Sequence, residues 1–248
     1  MLRALPLMGR LEKQAFQQAG DLLKEAVILE PDYAVATCWA AYWQLIEVAQ
    51  GWSGDVRAAT TEATRLADRA IMLDSQDARC LSVAGHVRAF LHHRPREALT
   101  LHERALTLNP TLAMAWCLSG ISHLYLGNAE EAGHRVRHAK RLSPHDPQTF
   151  LFETAEASAL LLKGEYAEAV RIGREAGEMN PSFAAGCKPY LAALGHLGYT
   201  NEAELARHRL LSIQPHFTVA EFVASSPYER ADHTNLFAEG LRLAGIPG

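Results

Sequence analysis

The chain of 248 residues has only four cysteines, Cys38, Cys80, Cys117 and Cys187, far apart and none in a CxxC pair. That excludes a disulfide framework and a thiolate zinc site, and fits buried thiols in a reducing cytoplasm. Aromatic residues make up just 8% of the chain, while much of the 48% that is hydrophobic is alanine. A strand-rich core would be led by β-branched and aromatic side chains, so close-packed helices are expected instead. No run approaches the length of a membrane-spanning helix, and the opening Met1-Leu-Arg-Ala-Leu-Pro-Leu-Met-Gly-Arg10 lacks the apolar core and cleavage region of an export signal. Neither sign of charge dominates. A net charge of −4 and a pI near 6.3 argue against general binding to nucleic acid or to a membrane surface. The basic cluster His92-His93-Arg94-Pro95-Arg96 is short and closed by Glu97, which reads as a solvated turn.

Motifs that carry chemistry are missing as well. There is no glycine-rich phosphate loop after a strand, no HExxH and no GxSxG. His134 and His138 stand one helical turn apart, but Arg135, Arg137 and Lys140 surround them and disfavour a dication, so they read as a surface pair. His102-Glu103 lacks the second histidine of a zinc helix. The expectation is a non-catalytic chain with no metal and no cofactor.

What the chain does have is a six-residue phrase that recurs six times. It reads AVILEP (Ala26 to Pro31), AIMLDS (Ala70 to Ser75), ALTLNP (Ala105 to Pro110), AKRLSP (Ala139 to Pro144), AGEMNP (Ala176 to Pro181) and LLSIQP (Leu210 to Pro215). Its last residue returns at intervals of 44, 35, 34, 37 and 34 residues, a period that marks a repeat architecture. Seven residues before each phrase stands an alanine: Ala19, Ala63, Ala98, Ala132, Ala169 and Ala203. Seven residues are two helical turns, so each pair forms one small-residue stripe that lets a neighbouring helix approach. Gly127-Asn128, Lys163-Gly164-Glu165 and Gly198-Tyr199 break the chain before these helices. The stretch Met114 to Leu126 shows the apolar periodicity of a second helix upstream, and proline ends each unit. Each repeat is therefore helix A, turn, helix B, turn.

The regularity fails in three places. Repeat two carries about ten extra residues around Ala49 to Asp55, which lengthen both helices, with Gly51 ending one and Ser53 or Asp55 capping the next. Trp39, Tyr42, Trp43 and Trp52 gather there; core packing is the weightier reading and an aromatic box for a ligand cation the alternative. The interval before repeat six is lengthened. The tail leaves the pattern: Thr218 to Ala224 begins a further helix, Ser225-Ser226-Pro227 breaks it, and Asp232 or Thr234 caps a last helix running to about Ala244. That helix is expected to cover the open end of the stack, with folding back onto the groove as the alternative.

These residues resemble the tetratricopeptide repeat, best in repeat four, where Trp116, Gly120, Tyr125, Ala132, Ala139 and Pro144 fall at or beside its consensus places. The resemblance implies an all-α, right-handed superhelix of about six repeats over residues 1–215 (1–33, 34–77, 78–112, 113–146, 147–183 and 184–217), followed by capping helices over 216–248. It also implies that helix A lines a concave groove. Carried over position by position, that groove comprises Cys38, Tyr42, Arg79, Ser82, His86, Phe90, Met114, Cys117, Ile121, Gln148, Leu151 and Lys188, about half of them exposed. The paired lysines and asparagines that grip a terminal carboxylate are not there. A protein or peptide ligand with an apolar or amphipathic segment suits the lining, or a second copy of the chain.

A second resemblance rests on Leu2 to Leu7, Gly85 to Leu91, Lys188 to Gly198, and Ser226 to Arg230 through Gly240 to Gly248. These look like the C-terminal repeat region of bacterial proteins in which repeats follow a winged-helix DNA-binding domain or a class III adenylate or guanylate cyclase domain. The chain also starts inside the first helix A, as a module cut from a longer protein would. That resemblance implies a cytoplasmic, regulatory part of a signalling or transcription-regulating protein; the alternatives are the sensor arm of a cyclase and a self-associating scaffold.

Overall fold

The recurring phrase is the C-terminal end of a helix. In the computed structural model, which describes residues 1–248, the polar residue of each phrase has left the helix for an extended backbone, as proline favours in the residue before it and as Asp74 does before Ser75 as well. Its amide still donates to the carbonyl of the first phrase residue in all six copies, from Glu30 to Ala26, Asp74 to Ala70, Asn109 to Ala105, Ser143 to Ala139, Asn180 to Ala176 and Gln214 to Leu210. In three copies the side chain then accepts from the amide two residues on: Asp74 from Gln76 at 2.9 Å, Asn109 from Thr111 at 3.1 Å and Asn180 from Ser182 at 3.2 Å. One polar side chain thus ends a helix and begins the next turn, which explains why the position is never apolar.

The result is all helix, with no strand. Repeat one is α1 (Ala4–Arg10) and α2 (Lys13–Leu29); repeat two is α3 (Ala34–Ala49) and α4 (Val56–Leu73). Repeat three is α5 (Ala78–His86), which runs on as a π-helical segment (Val87–Leu91), and α6 (Pro95–Leu108). The pairs α7 (Ala113–Leu126) with α8 (Ala129–Leu142), α9 (Thr149–Leu162) with α10 (Tyr166–Met179), and α11 (Ala184–Leu197) with α12 (Thr200–Ile213) complete the six. Of the twelve stripe positions, all but Ala26 are buried. The enlarged repeat two behaves as expected: α3 and α4 have 16 and 18 residues against 14 in α6 to α12, and Asp55 caps α4 by accepting from the Ala58 amide at 2.9 Å. The extra residues of the 37-residue interval sit in the turn between Pro144 and Thr149 and at Lys163, between the end of α9 and Gly164.

The left-handed turn between helix A and helix B falls five residues before the stripe alanine, at Gly127, Gly164 and Gly198. Repeat three puts His93 there, with φ 54°. From the phrase to this turn the chain counts 18 residues (Ser75 to His93), against 17 from Pro110 to Gly127 and 17 from Pro181 to Gly198. The one additional residue is taken up by the π-helical segment, whose wider turn is the usual way for a helix to hold an insertion without losing its ends.

The contact pattern divides the chain into two compact units, Met1–Ser122 and His123–Gly248. The boundary expected at 215/216 has no counterpart in it, because the tail shares its core with the helices before it: Phe217, Val219, Phe222, Phe237 and Leu241 are buried with Leu191, Leu194 and Leu210. Tail helix α13 (Val219–Ala224) is capped by Thr218, whose hydroxyl accepts from the Glu221 amide at 3.1 Å. The last helix, α14 (Ala231–Leu243), starts ahead of the expected caps Asp232 and Thr234 and has no side-chain cap. It packs chiefly on α11 and reaches α9, both of them A helices.

Candidate functional site

The twelve groove residues carried over from the resemblance are more enclosed than expected. Cys38, Tyr42, Ser82, His86, Met114, Cys117, Ile121 and Leu151 are buried; Arg79, Phe90, Gln148 and Lys188 are half-buried; none is fully exposed. Successive A helices pack directly on one another, α3 on α5 and α9 on α11, and their small residues bring the backbones close enough to absorb the side chains between them.

In the first unit the half-buried members are Arg79, on α5, and Phe90, on its π-helical extension, and the half-buried Trp39 of α3 faces Arg79. The Arg79 guanidinium lies over the Trp39 ring, 5.7 Å from its centroid, and Trp39 meets Tyr42 edge to face at 5.6 Å. Three turns along from Arg79, Phe90 stacks on His86 with centroids 6.1 Å apart. The π-helical segment that presents Phe90 is tied down on its other side by Arg88, 2.5 Å from Asp68, and by His92 Nε2, 2.7 Å from the Thr64 hydroxyl. Arg79 and Trp39 thus form one half-buried cation–aromatic pair, and Phe90 with His86 a ring pair further along the same A helix.

The rest of the aromatic cluster is core. Trp43 stacks on Phe16 at 5.3 Å and donates from Nε1 to the Phe16 carbonyl at 2.7 Å, and Trp52 closes on Phe16 edgewise at 5.3 Å. No aromatic box forms.

Titratable groups on these helices are tuned toward neutrality. Burial pushes His86 down to about 4. The neighbouring Cys80 and burial raise the Cys38 thiol well above its ordinary value, and burial takes Cys187 up to about 11. Thiols so disfavoured as thiolates are poor nucleophiles. His134 and His138 turn to different partners: His134 Nε2 lies 3.5 Å from Glu130, and His138 Nδ1 3.2 Å from Arg141. No three His, Cys, Asp or Glu side chains converge as metal ligands.

In the second unit the same side of the repeats is covered by the tail. Lys188 lies with its ammonium 4.7 Å from the Phe217 ring centroid, and burial lowers it to about 8. Helix α9 is buried all round from Phe150 to Leu161, including Glu153 and Glu156, which both accept from Lys140 Nζ, at 2.7 and 2.8 Å. Sequence reasoning missed this cluster; its only signal was two glutamates three residues apart in an otherwise apolar helix.

No protein-family model matches the sequence, and no curated protein matches it significantly. Solved structures do. A thermophilic TPR protein of Thermus thermophilus shares 19% identity over 73% of this chain and 91% of its own, with a TM-score of 0.57. PilW, a type IV pilus biogenesis factor, shares 16% over 87% and 94%, at 0.57. A chain of the APC/C hetero-tetramer Cut9–Hcn1 shares 16% over 94% of this chain and 47% of its own, at 0.65. At such identities the likeness is one of fold: the helices are arranged as tetratricopeptide repeats. No helix is long and apolar enough to cross a membrane.

Proposed function

We propose that this tetratricopeptide-repeat chain is a non-catalytic interaction module that takes an amphipathic helix or apolar peptide of a partner protein on the helix-A face of its first unit. The observation that carries this reading is the half-buried set Trp39, Arg79 and Phe90, presented by A helices of two consecutive repeats. Aromatic and arginine side chains set in such a shallow surface are the usual anchors of a protein interface. The high pKa of the thiols and the neutrality of His86 support a binding rather than a chemical role. The Cut9–Hcn1 relative, solved as a hetero-tetramer, is in keeping with it. A regulatory place in a bacterial signalling or transcription-regulating protein is supported by the sequence resemblance alone, and the coding sequence upstream of Met1 tests it: a winged-helix pattern or a cyclase pattern there separates the two effectors.

Partners are captured on the immobilised chain and identified by mass spectrometry, and the affinity of a purified partner is then measured against Phe90→Glu. A charge placed at an apolar anchor weakens such a contact by about 2 kcal/mol or more, roughly thirtyfold, while the circular dichroism of the half-buried variant stays unchanged. Undiminished affinity places the binding surface elsewhere. Ile121 is unsuitable for this test, since at 7% exposure a glutamate there disrupts the fold.

A further inference from the structure

The tail is more than a lid on the last repeat. Its final helix buries Thr234, Phe237, Ala238, Leu241 and Ala244, and exposes Asp232, Asn235, Glu239 and Arg242, the pattern of an amphipathic helix lying in a surface. That surface is made by the A helices α9 and α11, with the connection before α14 seated on the end of α7. At one end the Glu229 amide donates to the Tyr125 carbonyl at 2.8 Å, and Tyr228 meets Tyr125 edge to face at 5.5 Å, at the end of α7. Further along, α14 touches α9, and His196 Nε2 of α11 lies 2.9 Å from the Leu236 carbonyl oxygen. The contact then closes on glycines. A Cβ built on Gly240 would stand 2.4 Å from the Ala192 carbonyl oxygen, and one built on Gly195 would stand 2.0 Å from the Gly240 carbonyl oxygen. Nothing larger than glycine fits at position 240, so the seat selects a helix by sequence as well as by polarity. The helix is joined to α13 by Ser225 to Arg230, which contains Pro227 and no regular structure, and beyond its other end Ile246 is buried and the Pro247 carbonyl accepts from the Val219 amide at 2.8 Å.

We propose that α14 is an internal ligand. The face of α9 and α11 is a helix-docking site, and a partner protein reaches it by displacing α14 with a helix of the same signature: glycine at the centre, a large aromatic residue three positions before it and a large aliphatic residue immediately after, as in Phe237, Gly240 and Leu241. The occupant is argued from the imprint itself: the seat forbids a Cβ at position 240, and the aromatic residue three positions before it packs beside Phe222 of α13 and Tyr228, with ring centroids 4.9 and 6.0 Å away. Being tethered, α14 competes at an effective concentration in the millimolar range, about what a short flexible linker supplies, so an outside helix binds weakly until the tether is overcome. This site deepens the interaction-module reading yet lies on the second unit, so its failure leaves the Phe90 face untouched.

The probe is a fluorescently labelled synthetic peptide of residues 229–248, titrated by anisotropy into the full-length chain. Into the unaltered chain it binds weakly, because α14 holds the seat. Into a full-length Gly240→Leu variant, whose own tail no longer fits, it binds about tenfold or more tightly, and the same peptide carrying Gly240→Leu binds neither chain. A Gly240→Leu chain that keeps its helicity and binds the peptide no better than the unaltered chain overturns the proposal. Native-state hydrogen exchange of the unaltered chain decides independently of how the variant folds. Amides of α14 exchanging ahead of those of α11 support a displaceable helix; exchange of the two together, only on global unfolding, refutes it.

Discussion

Replacing Lys140 by methionine destabilises the second unit by about 2 to 4 kcal/mol near neutral pH, somewhat below the cost of orphaning a wholly buried charge because Lys140 keeps part of its surface in water. The reason is geometric. One ammonium serves Glu153 and Glu156, whose side chains are 5% and 9% exposed, and only Glu156 has another cation in reach, Arg137 at 3.6 Å. Burial raises the Glu153 carboxyl above its ordinary value even with Lys140 beside it, and the neighbouring Glu156 and Glu175 add to the rise. For Lys140 the balance runs the other way. Burial pulls it down, but the two carboxylates more than offset that and hold it above the usual lysine range. A carboxyl raised on folding binds its proton more readily in the folded than in the unfolded chain, so its burden on stability eases as pH falls through the raised value toward the unfolded one. Without the ammonium the Glu153 value climbs further. Urea unfolding of Lys140→Met should therefore show a deficit that is largest near neutrality and shrinks on acidification. A deficit independent of pH would mean that the lost methylene packing, not the stranded charge, is responsible.

Trp43→Ala costs about 3 to 5 kcal/mol in the first unit, the range for removing a large aromatic side chain from a core. The ring stacks on Phe16, donates to its carbonyl and covers Gly20 so closely that a Cβ there would stand 2.5 Å from two ring carbons. The dependence of Gly20 on its cover makes the sharper test. In a helix interior, alanine normally gains about 1 kcal/mol over glycine. Under the intact indole, Gly20→Ala instead destabilises by about 1 to 3 kcal/mol through overpacking; in the Trp43→Ala background the same change turns stabilising. Denaturant unfolding of the four chains of this cycle reads the sign reversal directly. Additive effects would show that the ring yields freely.

How far the sequence foretold this depends on what each residue does. The phrase, the alanine stripe, Gly127, Gly164 and Gly198 were legible because each acts on its own backbone or on the next turn of its own helix. The Asp55 cap was legible for the same reason. His93 was not: nothing in a histidine announces a positive φ, and the only trace was an interval of 35 where the next reads 34. The burial of the groove residues was not legible, because it depends on how near successive A helices come, which the small residues at the contacts set jointly. Least legible was α14. Its apolar stripe shows that it docks, and no local pattern says on what; the seat at Gly195 and Ala192 lies some forty residues away along the chain.

The wide turn in repeat three leaves that helix with an uneven tolerance for editing. Every other A helix from α7 onward fits its span without slack, so dropping a residue from its middle would swing one half through about 100° relative to the other and turn its buried stripe to water. Between Val87 and Leu91 a residue is already in surplus. Losing one there would restore an ordinary α-helix of the neighbours' span, while gaining another would find the accommodation already used.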